Sequence, residues 1–165
     1  FGRLDIAFNN AGIAGDRIAL ADMSEAQFDQ IVNLNIKGTW WCMKYEIPAM
    51  LQSGGGCIVN CSSTAAFKTT KGISVYTATK AALVGMTKGA AVDYAKKNIR
   101  INAVCPTIVE TSLSSEFQHL AAKAHPMGRL CQPEEVADAV LWLCSDKASF
   151  ITGEALAIDG GFLSV

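Results

Sequence analysis

The sequence is poor in charge, and it lacks the patterns that mark several classes of protein. Only 18% of its 165 residues are charged, and 14 basic residues nearly balance 15 acidic ones. A net charge of −1 provides no basic surface of the kind that binds nucleic acid. No apolar run approaches the ~18 residues of a membrane span, and no basic-then-apolar leader opens the chain. We therefore expect a cytoplasmic protein that binds neither nucleic acid nor a membrane.

Cysteine and histidine are present, but not in the spacings of a metal site. The six cysteines form no C-x-x-C pair, and there are only two histidines, His119 and His125. Neither a zinc site nor a redox dithiol is therefore predicted, and we expect reduced cysteines and no bound metal. Both histidines are expected at the surface or in a lid segment, and not as metal ligands. No G-x-S-x-G motif surrounds any serine, which argues against a serine hydrolase.

The apolar pattern predicts strands that alternate with helices. Predicted strands cover 4–8, 57–61, 99–105 and 155–158, and predicted helices cover 24–52 with a bend at 35–38, 76–97, 113–124 and 133–143. This alternation indicates an α/β fold, a doubly wound parallel sheet with helices on both faces. The length is that of one domain, so residues 1–165 are predicted to form a single unit.

The turns that follow three predicted strands are expected to form one site. In a parallel α/β sheet, ligands bind beyond the carboxyl ends of the strands. The turns at 9–12, 61–65 and 106–111 follow the first three strands and therefore line the same edge.

Candidate catalytic groups lie at this edge. Tyr76 and Lys80 are four residues apart on a predicted helix, so their side chains lie one turn apart on one face. A neighbouring ammonium favours phenolate, which predicts a lowered pKa for Tyr76 and a role in proton transfer. Ser63 follows the second strand, where its hydroxyl would bond a carbonyl oxygen. The alternatives are a solvated helix pair and a serine that serves only its own turn.

Several motifs together resemble the short-chain dehydrogenase/reductases. N-N-A-G stands at 9–12, Y-x-x-x-K at 76–80 with a serine 13 residues upstream, I-T-G at 151–153 and D-G-G at 159–161. The resemblance spans all 165 residues. It implies a Rossmann-type fold and hydride transfer between NAD or NADP and an alcohol or ketone, with assembly as a homodimer or homotetramer.

The resemblance also implies a role for each matching residue. Tyr76 would carry the proton, Ser63 would hold the substrate oxygen, and Lys80 would bind the nicotinamide ribose. Asn35 would position a relay water, although it also suits a helix cap or kink. The remaining implied cofactor contacts are Asn10, Ala11, Gly12, Pro106, Val109 and Thr111, and residues 112–127 would shape the substrate pocket.

The sequence departs from the family pattern in two places. Thr107 stands where the family has glycine after Pro106, which predicts a looser approach of the backbone to the cofactor. The glycine-rich turn that binds pyrophosphate is absent, so the Rossmann-type domain is expected to be incomplete and to lack its first strands. We therefore expect a fragment of a longer enzyme. The alternative is a catalytically silent binding or scaffolding protein.

Overall fold

A computed structural model of the chain describes residues 2–110 and 121–165. Four parallel strands form one sheet in the order β1-β2-β3-β4, as the sequence predicts. The strands are β1 (Ile6–Asn9), β2 (Gly56–Cys61), β3 (Ile99–Pro106) and β4 (Ala155–Ile158). The helices are α1 (Glu25–Val32), α2 (Thr39–Gln52), α3 (Ser74–Tyr94) and α4 (Pro133–Cys144).

The predicted bend between the first two helices is a π-helical turn. Ser24 caps α1 in a capping box with Gln27, which agrees with the predicted helix start at residue 24. The backbone then widens over Asn33–Gly38 and continues directly into α2. A π-turn accommodates one extra residue without breaking the helix, so the chain bends here and keeps its helical course.

Helices cover both faces of the sheet. Ile58, Ile99 and Ile101 pack with residues of α2 and α3 on one face. Val59 and Val104 pack with residues of α4 on the other. Neighbouring strand residues point to opposite faces, which is why each strand reads as a continuous apolar run. The doubly wound class is therefore confirmed.

The buried side chain of Asn60 links β2 to its neighbour β1 and to helix α3. The side-chain amide of Asn60 accepts a hydrogen bond from Asn9 Nδ2 at 3.0 Å and donates one to Thr87 Oγ1 at 2.9 Å. Asn60 is fully buried, and an unpaired amide there would be costly. These bonds therefore fix β1, β2 and α3 in one relative position.

Some expectations differ from the structure or lie outside it. Pro106 does not follow β3 but ends it, opposite Ile158 of β4. His125 is 4% exposed and so does not lie at the surface, which leaves the alternative of a lid segment as a prediction. Thr111, His119 and most of the helix predicted over 113–124 lie outside the described residues.

The described residues contain no helix long and apolar enough to cross a membrane. They also contain no group of three or more potential metal-binding side chains. All six cysteines are free.

Substitution of a buried leucine on α3 and of an exposed leucine on α4 tests which helix faces pack in the core. Leu83 is 1% exposed and Leu141 is 66% exposed. Leu83→Ala should lower the free energy of unfolding by about 2–5 kcal/mol, because it leaves a cavity. Leu141→Ala, the matched control, should change it by less than about 0.5 kcal/mol. Urea denaturation measures both, and equal losses would contradict the packing described here.

Candidate active site

The turns that follow β1, β2 and β3 meet around one cavity, as predicted. Its volume is about 210 Å³, and its lining includes Asn10, Gly12, Ser63, Tyr76, Lys80, Pro106 and Val109. Among the predicted cofactor residues, Ala11 does not line this cavity, and Thr111 lies outside the described part of the chain. The strand ends thus bring together side chains that are up to 99 positions apart in sequence, from Asn10 to Val109.

Lys80 is held at the inner end of this cavity. Its side chain is nearly fully buried, and Nζ donates a hydrogen bond to the carbonyl oxygen of Cys61 at 2.7 Å. The same ammonium lies 5.6 Å from the centre of the Tyr76 ring. Ser62 Oγ donates to the carbonyl oxygen of Lys80 at 2.7 Å. Both bonds join α3 to the end of β2.

The pKa of Tyr76 is raised, which is opposite to the prediction. Burial of the phenol is the main cause, and the neighbouring Ser63 hydroxyl only partly offsets that effect. The predicted lowering of this pKa by the Lys80 ammonium therefore does not outweigh burial. Burial also lowers the pKa of Lys80 itself. Desolvation therefore favours the neutral form of both groups.

Ser63 serves its own turn as well as the cavity. It is the N-cap residue of a 3₁₀ turn at Thr64–Ala66, where its Oγ accepts a hydrogen bond from Ala65 N at 3.1 Å. The same oxygen donates to the carbonyl of Pro106 at 3.4 Å. This turn holds the hydroxyl beside Tyr76, so the structural and the catalytic interpretations of Ser63 are compatible.

Asn35 connects the turn after β1 to α3. It is fully buried; its Oδ1 accepts from Ile13 N and its Nδ2 donates to Ile13 O, both at 2.9 Å. Nδ2 also donates to Thr79 Oγ1 at 3.0 Å. The amide is therefore engaged in positioning the site, and the predicted contact with a relay water stays a prediction.

Gly12 permits a close approach that another residue would block. A Cβ at this position would lie 3.2 Å from both Asn35 Oδ1 and Lys80 Nζ. Such contacts are tight, so a larger residue would displace one of these two polar groups. The close packing of Asn35 and Lys80 thus explains why the last position of the N-N-A-G motif is a glycine.

Thr107 is held by two hydrogen-bonding contacts within the protein, while its looser approach to the cofactor stays a prediction. Its backbone N–H donates to Ile158 O at 3.1 Å, and its Oγ1 lies 2.7 Å from His125 Nε2. His125 Nδ1 donates to Ala121 O at 2.7 Å, because a carbonyl oxygen can only accept, so the ring is held on both of its nitrogens. Sequence reasoning missed this pair, because nothing in the spacing of two residues 18 apart indicates contact.

A second cavity adjoins Ser63 and Tyr76. Its volume is about 330 Å³. Thr107, Ile108, Ile73, Ala14 and Phe162 contribute to its walls. Thr107 and Ile108 lie in the predicted turn at 106–111, whereas Ile73, Ala14 and Phe162 were not predicted from the motifs, because the walls of a cavity are set by tertiary packing. The arrangement places a phenol and a hydroxyl at the boundary between the two cavities.

Comparisons with known proteins agree with this geometry. A family model described as enoyl-(acyl carrier protein) reductase matches residues 1–163. Cyclohexanol dehydrogenase from Acinetobacter sp. (strain SE19) is 45% identical over 165 residues, which cover 99% of this chain and 66% of that protein. The chain thus spans slightly less than two thirds of the length of that relative.

Solved structures are also similar. ElxO with NADP bound is 40% identical with a TM-score of 0.94, over 100% of this chain and 69% of that one. The 3-ketoacyl-(acyl-carrier-protein) reductase from Brucella melitensis, complexed with NADH, is 35% identical with a TM-score of 0.93. The match covers 98% of this chain and 68% of that one. With a family model that matches nearly its whole length, the chain belongs to the short-chain dehydrogenase/reductase family.

Proposed function

We propose that this protein is an NAD(P)-dependent oxidoreductase that interconverts an alcohol and a ketone or aldehyde. The observation that carries the proposal is the single cavity that Ser63, Tyr76 and Lys80 line together at the carboxyl ends of the strands. The relatives support it, since one is a cyclohexanol dehydrogenase and similar structures hold NADP or NADH.

The residues around the first cavity fit a nicotinamide cofactor, NAD or NADP. Gly12 leaves open the space that a Cβ would fill beside Lys80. Lys80 and Tyr76 would bind the ribose, and Val109 and Thr111 would contact the carboxamide. Asn10, Ala11, Gly12 and Pro106 are the remaining proposed contacts. When bound, the cofactor donates or accepts a hydride.

Tyr76 would transfer the proton. Its raised pKa keeps the phenol protonated at neutral pH, which is the state needed to donate a proton to the oxygen of a ketone. Ser63 would donate a hydrogen bond to the same oxygen as negative charge develops there. In the oxidation direction Tyr76 must accept a proton, so that direction requires a higher pH. Asn35 would position the relay water and completes the proposed catalytic set with Ser63, Tyr76 and Lys80.

We also propose that the chain is the C-terminal two thirds of a longer cytoplasmic enzyme. The chain covers 66–69% of its first relatives, and the six free thiols suit a reducing compartment. The alternative is a catalytically silent binding or scaffolding protein. Titration of the full-length protein with NADH and NADPH, followed by fluorescence, separates the two, because a silent scaffold need not bind either.

Assembly as a homodimer or homotetramer is part of the proposal. A groove of about 520 Å³ lies between α2 and α3, with Trp40, Met86 and Tyr94 among its lining residues. Trp40 and Tyr45 on α2 are 44% and 69% exposed. Large exposed aromatics are typical of interface cores. Sedimentation of the full-length protein tests this assembly.

Substitution of the phenol tests the mechanism. Tyr76→Phe should lower turnover of cyclohexanol by roughly 10²–10⁴-fold, because it removes the group that transfers the proton. NADH binding should change by less than about threefold, since only one hydroxyl is lost. Ser149→Ala, which removes an exposed hydroxyl that lines neither cavity, is the control and should keep full turnover. If Tyr76→Phe retains most of its activity, Tyr76 does not have the assigned role.

The ionisation of Tyr76 can be measured directly. Burial raises its pKa, so phenolate should form only above the ordinary value of about 10 in the protein without cofactor. The ultraviolet pH titration of wild type minus that of Tyr76→Phe isolates this group. A midpoint below that ordinary value would contradict the structure and would restore the effect first expected from Lys80.

The space beside Gly12 can be filled. Gly12→Ala should weaken NADH binding about tenfold, because the new Cβ presses on Lys80 Nζ and Asn35 Oδ1. Gly85→Ala is the control, since a Cβ there meets no atom within 4 Å. Fluorescence titration measures both variants, and equal affinities would show that the close approach at Gly12 is not needed.

A further inference from the structure

Phe162 forms one wall of the second cavity, the one that adjoins Ser63 and Tyr76. The other apolar residues of this cavity include Ala14, Ile73 and Ile108. A molecule whose oxygen reached Tyr76 and Ser63 would place the rest of its body against these side chains. The side chains that line this cavity therefore determine which substituents on the carbinol carbon can be accommodated.

The ring of Phe162 is held on two sides. The ammonium of Lys68 lies 4.6 Å from the ring centre, within the range of a cation–π contact. The imidazole of His125 packs with ring centres 5.3 Å apart and an angle of 32° between the planes. His125 is itself fixed by Thr107 and Ala121.

The backbone that carries Phe162 is also fixed. The carboxylate of Asp159 accepts hydrogen bonds from Gly161 N at 3.0 Å and Leu163 N at 2.8 Å, one on each side of Phe162. Lys68 Nζ donates to the carbonyl oxygens of Phe162 at 3.2 Å and Val165 at 2.6 Å. The turn is therefore held by its own acidic residue and by a lysine 94 positions away.

These contacts give the ring a defined position before any substrate enters. A wall that is already ordered contributes to binding without a further entropy cost. The ammonium of Lys68 is engaged by two carbonyls and by the ring face, so it is not the group that this wall offers to a substrate. What Phe162 contributes to this wall is the apolar part of its ring that lines the cavity between these contacts.

We propose that Phe162 determines substrate specificity by contacting an apolar body attached to the carbinol carbon. The preferred substrates are then compact secondary alcohols with a hydrocarbon ring or branched chain, in preference to small alcohols that do not reach Phe162. This inference rests on the proposed oxidoreductase function.

The test compares two alcohols in the full-length protein. Phe162→Ala should lower kcat/KM for cyclohexanol by about tenfold or more, because the apolar contact is lost. The same variant should change kcat/KM for propan-2-ol by less than about threefold. Phe162→Leu, which keeps an apolar side chain, should retain most of the preference for cyclohexanol. Phe150→Ala, at a fully exposed phenylalanine, is the matched control and should leave both values unchanged.

The outcomes separate this inference from the proposed function. If the wild type is active and Phe162→Ala lowers kcat/KM equally for both alcohols, or for neither, the specificity role of Phe162 is overturned. The oxidoreductase function then still stands. If wild type is inactive with both alcohols and both cofactors, the proposed function fails. Saturation-transfer NMR then measures the binding of cyclohexanol itself. Loss of binding in Phe162→Ala but not in Phe150→Ala supports the contact with Phe162, and equal binding in the two variants overturns it.

Discussion

The contact between the Lys80 ammonium and the carbonyl oxygen of Cys61 is the constraint on which the site depends. An ammonium that is nearly fully buried would be very costly without an acceptor. The 2.7 Å hydrogen bond supplies one, and it requires the first turns of α3 to stay against the end of β2. Tyr76 lies one turn earlier on α3, so the same contact sets the position of the phenol beside Ser63.

The chemistry of the site follows from that placement. The burial that fixes Lys80 and Tyr76 also favours their neutral forms. In the proposed reaction, a protonated phenol would suit reduction of a carbonyl, whereas oxidation would have to work against desolvation. The helix–strand contact thus sets the geometry of two groups whose burial keeps them neutral.

Much of the fold could be predicted from local pattern, but the electrostatics of the site could not. The capping box at Ser24 and the apolar run of β2 are local signals, and both elements were found within one residue of their predicted starts. The pKa of Tyr76 is raised mainly by burial of the phenol, which the i,i+4 spacing with Lys80 does not reveal. The burial of His125 and the wall formed by Phe162 arise from contacts between distant segments, for which the sequence carries no periodic signal.

The π-turn at Asn33–Gly38 makes the site sensitive to chain length as well as to residue identity. One residue fewer in this segment would allow α1 and α2 to merge into a regular α-helix, in which each residue accounts for a rotation of about 100°. The amide of Asn35 would then turn away from Ile13 and Thr79. A single-codon deletion far from the phenol would thus release the turn after β1, although every side chain that lines the cavity remained in the sequence.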